Sequence, residues 1–106
     1  MARHTEFEWH PAKEAANIRK HGLKFTDAML ALSDDWWSAF HEETYQGVVD
    51  GEDRWLTLAP YPPEPGIVFA VAWTPRRYGD RLVTRLISAR ALTPRERKEY
   101  AKKNWN

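Results

Sequence analysis

The chain has 106 residues, 16 Lys+Arg against 15 Asp+Glu, a formal net charge of +1 and no cysteine. The missing cysteine excludes disulfides, thiolate catalysis and cysteine-ligated zinc, and no apolar run is long enough to cross a bilayer. Met1-Ala2-Arg3-His4-Thr5-Glu6 lacks the apolar core of a signal peptide, so the expectation is one soluble cytoplasmic domain, residues 1–106, with no membrane partner.

Phe7-Glu8-Trp9 alternates and predicts a short first strand. Pro11 suits a first helical position and Gly22 a C′ position, so the stretch between them predicts a helix. Helical spacing places Pro11, Ala15 and Ile18 on its buried stripe and Lys13, Asn17, Lys20 and His21 on the opposite face. Phe25-Thr26-Asp27 opens a second, shorter helix, with Thr26 as N-cap and Phe25 stapled to Leu30. Ser33-Asp34-Asp35 breaks it. Residues 36–41 alternate and predict a strand. The acidic stretch 42–53 reads as a loop or poor edge strand, and 55–61 as a strand ended by Pro60 and Pro62-Pro63. The continuous apolar run 67–73 predicts a central strand covered on both faces.

Tyr78-Gly79-Asp80 signals a turn, and residues 81–91 a last strand. Regular alternation there sets Leu82, Thr84, Leu86, Ser88 and Arg90 on one face, with Val83, Arg85, Ile87 and Ala89 on the other. Thr93-Pro94-Arg95-Glu96 is a capping box that opens a polar final helix, with Tyr100 and Ala101 to dock it. The fold class expected is α+β, in the order β-α-α-β-β-β-α. Its sheet is mainly antiparallel, with the N-terminal helices on one face and a C-terminal helix.

The near-zero charge hides a strong asymmetry. Residues 26–64 carry a net −8 and residues 76–103 a net +7. A localised basic segment points to a polyanion or an acidic protein. There is no phosphate-binding glycine loop, no nucleophile elbow and no helix-turn-helix pattern, and the four histidines lack metal-ligand spacing, so no metal is expected.

In the basic segment, arginine's planar fork suits phosphate. Arg90 stands out because it ends the strand just before the helix turn. Glu96 is either the N3 member of the capping box or an acid/base group. Tyr100 shares its face and either docks the helix or serves the site. His21 sits in a last helical turn, where it either caps carbonyls or acts as acid/base. Arg54, the lone base of the acidic stretch, reads as a local salt bridge. Trp36, Trp37, Trp55 and Trp73 read mainly as core.

Two blocks at the ends of the chain have a family look. The first is Phe7-Glu8-Trp9-His10-Pro11-Ala12-Lys13 with Ala16-Asn17, Arg19-Lys20-His21-Gly22, Phe25 and Asp27-Ala28. The second is Ile87-Ser88-Ala89-Arg90-Ala91 followed by Arg95-Glu96-Arg97 and Tyr100. Together they resemble the signatures of the BrnT family, toxins of type II toxin–antitoxin systems. His10 stands where the family usually has aspartate, which weakens the expected N-cap.

The resemblance implies a fold similar to RelE-type ribonucleases and a cofactor-free, metal-independent RNA cleavage that inhibits translation. It implies a cognate ribbon-helix-helix antitoxin (BrnA-like), an expected heterotetramer with it, and contact with operator DNA only through the antitoxin. Arg90, Glu96, His21, Tyr100 and Arg54 are the catalytic candidates, and Lys13, Lys20, Arg85 and Arg97 the RNA-binding ones. Arg85 is the weakest helper, because regular alternation turns it away from Arg90. The rival reading is a non-catalytic basic module that binds an acidic protein or nucleic acid.

Overall fold

A computed structural model describes residues 4–33, 40–64 and 66–104. In chain order the elements are β1 (Phe7–Glu8), α1 (Pro11–His21), α2 (Phe25–Ser33), β2 (Glu42–Val49), β3 (Glu52–Pro60), β4 (Val68–Tyr78), β5 (Arg81–Ala91) and α3 (Pro94–Asn104). The class is α+β as expected, and the sheet has five strands, one more than the expected order β-α-α-β-β-β-α counts, arranged β1-β5-β4-β3-β2. It is mixed, because β1 runs parallel to β5 while the other pairs are antiparallel.

The extra strand comes from the acidic stretch. Residues 42–53 form β2, a turn and the start of β3, joined at Asp50-Gly51, where both residues take positive φ (53° and 80°) and so close a tight hairpin. Of the two expectations for this stretch, edge strand is right. Glu42 and Glu43 are compatible with pairing because they stand on the outer strand β2, where charge also discourages strand addition. The strand expected over 36–41 falls largely outside the described residues. Within them, Phe40 has 3₁₀ conformation and His41 precedes β2.

Helix α1 keeps its expected bounds but not its expected faces. Pro11, Ala15 and Ile18 are exposed, and Asn17 is its buried residue. β1 is only two residues long and pairs with Thr84 and Arg85, which leaves the outer edge of β5 without a strand partner further on. The Asn17 carboxamide fills that place. It donates to the carbonyls of Ala89 (2.9 Å) and Leu23 (2.8 Å) and accepts from the Ala89 N–H (2.9 Å). An unpaired edge group costs more than a buried amide that satisfies it, so the polar side chain goes in and the apolar ones stay out.

His10 caps α1 after all, its Nδ1 accepting from Ala12 N–H at 3.0 Å. In α2, Thr26 is not the cap: the helix opens at Phe25, and Glu14 accepts the Phe25 N–H at 2.9 Å. Phe25 is fully buried while Leu30 is 42% exposed, so they form no staple.

β5 has the bounds expected, but its alternation breaks. Ala72 pairs with Ser88 and Trp73 with Leu86, so Ile87 is an extra, bulged residue. A bulge reverses the parity of everything beyond it. Leu86 and Ala89 therefore share one face, in the main core with Phe25, Ala28, Leu32, Val71 and Trp73. This is the face that α2 closes. Cross-strand partners share a face, so the register puts Arg85 (opposite Thr74) and Arg90 (opposite Ala70) together on the other one. That corrects the expectation that they face apart. Leu56 and Leu58 line the same side through Ala72 and Ala70, and Arg54, two residues before Leu56, joins them. Helix α3 docks on one end of this open face through Leu92 and Tyr100, packed with Val68 and Ala70.

Candidate active site

Where β5 meets α3, the capping box forms as the sequence predicts. The Thr93 hydroxyl accepts the Glu96 N–H (3.2 Å), and the Glu96 carboxylate accepts the Thr93 N–H (2.9 Å). The same carboxylate takes both arms of Arg90, at 2.8 and 3.0 Å, in a fork-to-fork pair. The Arg90 hydrogen bonds, with the Thr93 N–H, hold the Glu96 carboxyl down at about 2, and Glu96 in turn raises Arg90. Both side chains remain about two-fifths exposed, so the pair faces solvent.

Beside it lies a cavity of about 340 Å³ lined by Leu56, Leu58, Ala70, Leu92 and Tyr100, with Arg90, Arg95, Glu96 and Glu99 as its charged lining. Tyr100 is only 7% exposed, and its hydroxyl donates to the Phe40 carbonyl. Burial, with the nearby Glu42 charge, pushes that hydroxyl up to about 12. Tyr100 therefore docks α3 and stays protonated at neutral pH.

Further along the open face stand Arg54, Arg76 and Arg85, with Arg81 at its far end paired to Glu6 at 2.9 Å. Arg85 donates to Glu8 (2.7 Å), whose carboxyl it holds below the ordinary range together with the Tyr78 hydroxyl, against the opposing effect of burial. Arg76 lies 2.5 Å from Glu52. Among the described residues Arg54 makes no ion pair, where a local salt bridge was expected. Its Nε is buried and has no hydrogen-bond partner among the described residues.

Of the expected site residues, the fold thus gathers Arg90, Glu96 and Tyr100 at one cavity and lays Arg54 and Arg85 on the same face. Arg97 is half-buried on α3 but does not line the cavity. Lys13, Lys20 and His21 stand exposed on α1 and do not line the cavity. The His21 side chain makes no hydrogen bond or ion pair among the described residues. Arg76 joins the face without any local motif to mark it, by alternating with Ala72 and Thr74 along β4. Leu56 and Leu58 carry only a strand signal in the sequence, and it is the pairing of β3 with β4 that brings them to the cavity. Among the described residues, no cluster of His, Asp or Glu is suited to a metal ion, and no helix is long and apolar enough to cross a membrane.

The closed face carries a different polar group. His4 meets Thr84 Oγ1 at 2.8 Å through Nδ1 and Glu43 Oε2 at 2.6 Å through Nε2. Thr57 donates to the same carboxylate (2.9 Å), and Trp73 Nε1 donates to Thr57 (2.8 Å). The His4 ring stands edge-on to Trp73 at 4.6 Å. A histidine that looks isolated in the sequence thus stitches the N-terminal segment to β2, β3, β4 and β5.

A family model described as "Ribonuclease toxin, BrnT, of type II toxin-antitoxin system" matches residues 9–96. The match takes in Arg90 and Glu96 and stops short of Arg97 and Tyr100. No curated protein matches the chain.

Proposed function

The chain belongs to the BrnT family of type II toxin–antitoxin ribonuclease toxins, and from that premise we propose that the open face of its sheet is a metal-independent endoribonuclease site. The observation that carries this reading is the Arg90–Glu96 fork, solvent-facing at the mouth of a cavity, on a face that also bears Arg54, Arg76 and Arg85.

In this reading an RNA phosphate takes the place of Glu96 on the Arg90 fork. The displaced carboxylate is no longer held down by the guanidinium, so it can accept a proton. It takes one from the neighbouring 2′-hydroxyl, whose oxygen attacks phosphorus. The bond to the 5′-oxygen breaks and that oxygen draws a proton from solvent, leaving a 2′,3′-cyclic phosphate and a 5′-hydroxyl. Arg90 stabilises the charge that builds on the phosphoryl oxygens, a contribution of about 10²–10³ in rate for one well-placed donor. Arg54, Arg76 and Arg85 hold neighbouring phosphates, and Arg97 flanks the site. Tyr100 shapes the cavity wall. Lys13, Lys20 and His21 lie outside the cavity, where they would meet only flanking RNA.

The product of such cleavage is arrested translation in the cytoplasm, relieved by a ribbon-helix-helix antitoxin (BrnA-like) in a heterotetramer that binds operator DNA through the antitoxin. Four of the face's arginines, Arg76, Arg81, Arg85 and Arg90, are paired with carboxylates of the chain itself. That observation also suits the rival reading, in which an acidic protein segment exchanges into these pairs without any cleavage. Expression of the wild type and Arg90→Ala, with growth and RNA decay followed together, separates the two. Arg90→Ala is expected to cut cleavage by about 10²–10³ while the protein stays folded; equal toxicity and equal RNA decay would remove Arg90 from the mechanism.

A further inference from the structure

Resting on the ribonuclease reading, we propose that the cavity under α3 is a guanine-recognition pocket that seats the base next to the phosphate held by Arg90. The floor is aliphatic, from Leu56, Leu58, Ala70 and Leu92. Its volume of about 340 Å³ falls in the range of small-ligand sites. An aliphatic floor with charged groups around it matches a nucleobase, which has apolar faces and a polar edge. An aliphatic side chain of a partner would leave those charged groups without a role.

The charges name the base. Arg95 and Glu99 lie four residues apart on α3, hence on one side of the helix, and both line the cavity. They do not pair with each other: Glu99 approaches Lys102 at 3.7 Å, and Arg95 makes no ion pair among the described residues. A carboxylate offers only acceptors, and guanine is the base with two adjacent donors, N1–H and N2–H, on its Watson–Crick edge. An arginine offers only donors, and guanine presents O6 and N7 together. Adenine would turn the N1 lone pair toward the carboxylate, and a pyrimidine would offer it a single donor group. Glu99 and Arg95 are therefore specificity-determining residues, distinct from the Arg90–Glu96 pair.

The test is titration of the purified chain with guanosine, adenosine, cytidine and uridine 3′-monophosphates, followed by calorimetry and by backbone amide shifts. Guanosine 3′-monophosphate is expected to bind about tenfold or more tighter than the others, with shifts centred on α3 and on Leu56 and Leu58. Glu99→Gln, which puts an amide donor where guanine also donates, is expected to erase most of that preference. Its site is an exposed helix position, and an unchanged unfolding transition checks that it folds. Equal affinity for the four nucleotides, or a guanine preference that Glu99→Gln leaves intact, overturns the proposal. So does a pocket that takes an apolar antitoxin peptide but no nucleotide. The two readings fail separately: RNA cut without base preference leaves the nuclease and removes the pocket, whereas guanine-selective binding without cleavage leaves the pocket and removes the nuclease.

Discussion

The two faces of this sheet are built from the same strands, yet their polar groups behave differently. On the closed face, His4, Thr84, Glu43, Thr57 and Trp73 bond one another in a network that runs from buried Thr57, Trp73 and Thr84 through a slightly exposed His4 to Glu43 at the surface. On the open face, Arg76, Arg85 and Arg90 each hold one carboxylate, and every pair is at least about a quarter exposed. Water can replace either member of an exposed pair at small cost, so such pairs contribute little stability and exchange readily. A buried network has no such substitute. One face therefore holds the molecule together, and the other presents its cations in partly exposed, exchangeable pairs.

The contrast can be broken first at the core. Phe25 is fully buried against Trp9 and the closed-face cluster. Phe25→Ala is expected to cost about 3–5 kcal/mol, while Arg85→Ala costs about 1 kcal/mol or less. Equal losses in urea unfolding would end the distinction between the faces. A smaller effect is expected at the sheet edge. Asn17→Ala strips the partner from the Ala89 N–H and leaves two carbonyls short of a donor, for a loss on the order of 3 kcal/mol. If amide exchange at Ala89 is no faster in that variant, Asn17 is not the edge's partner.

The smallest effect concerns acid. The Glu96 carboxyl is depressed from 4.5 to about 2, and Glu43 is lowered in the same direction, chiefly by its His4 hydrogen bond. A depressed carboxyl contributes stability that is complete above its ordinary value and is lost as pH falls through the folded-state value. Melting temperature should therefore drop between about pH 5 and about pH 2, and drop less steeply in Glu43→Gln and Glu96→Gln. Identical slopes in wild type and both variants would show that neither carboxylate is linked to folding.

Much of the architecture was legible because its causes are local. The capping box at Thr93 and Glu96 needs only residues three apart. The Gly22 stop and the bounds of β5 follow from neighbours within a few positions. Arg90 and Glu96 could be singled out for the same reason: six residues separate them, and one turn joins their elements.

What could not be read locally depends on distant partners. Asn17 is buried because Ala89, 72 residues away, has a free edge. His4 is useful because Thr84, 80 residues away, stands opposite it. Alternation alone set Arg85 and Arg90 on opposite faces; the pairing of β4 with β5 inserts a bulge at Ile87 and brings them to one. Composition established that cations were concentrated in residues 76–103. Which of them share a surface was settled by strand register, since a single extra residue exchanges the inside of a sheet for the outside.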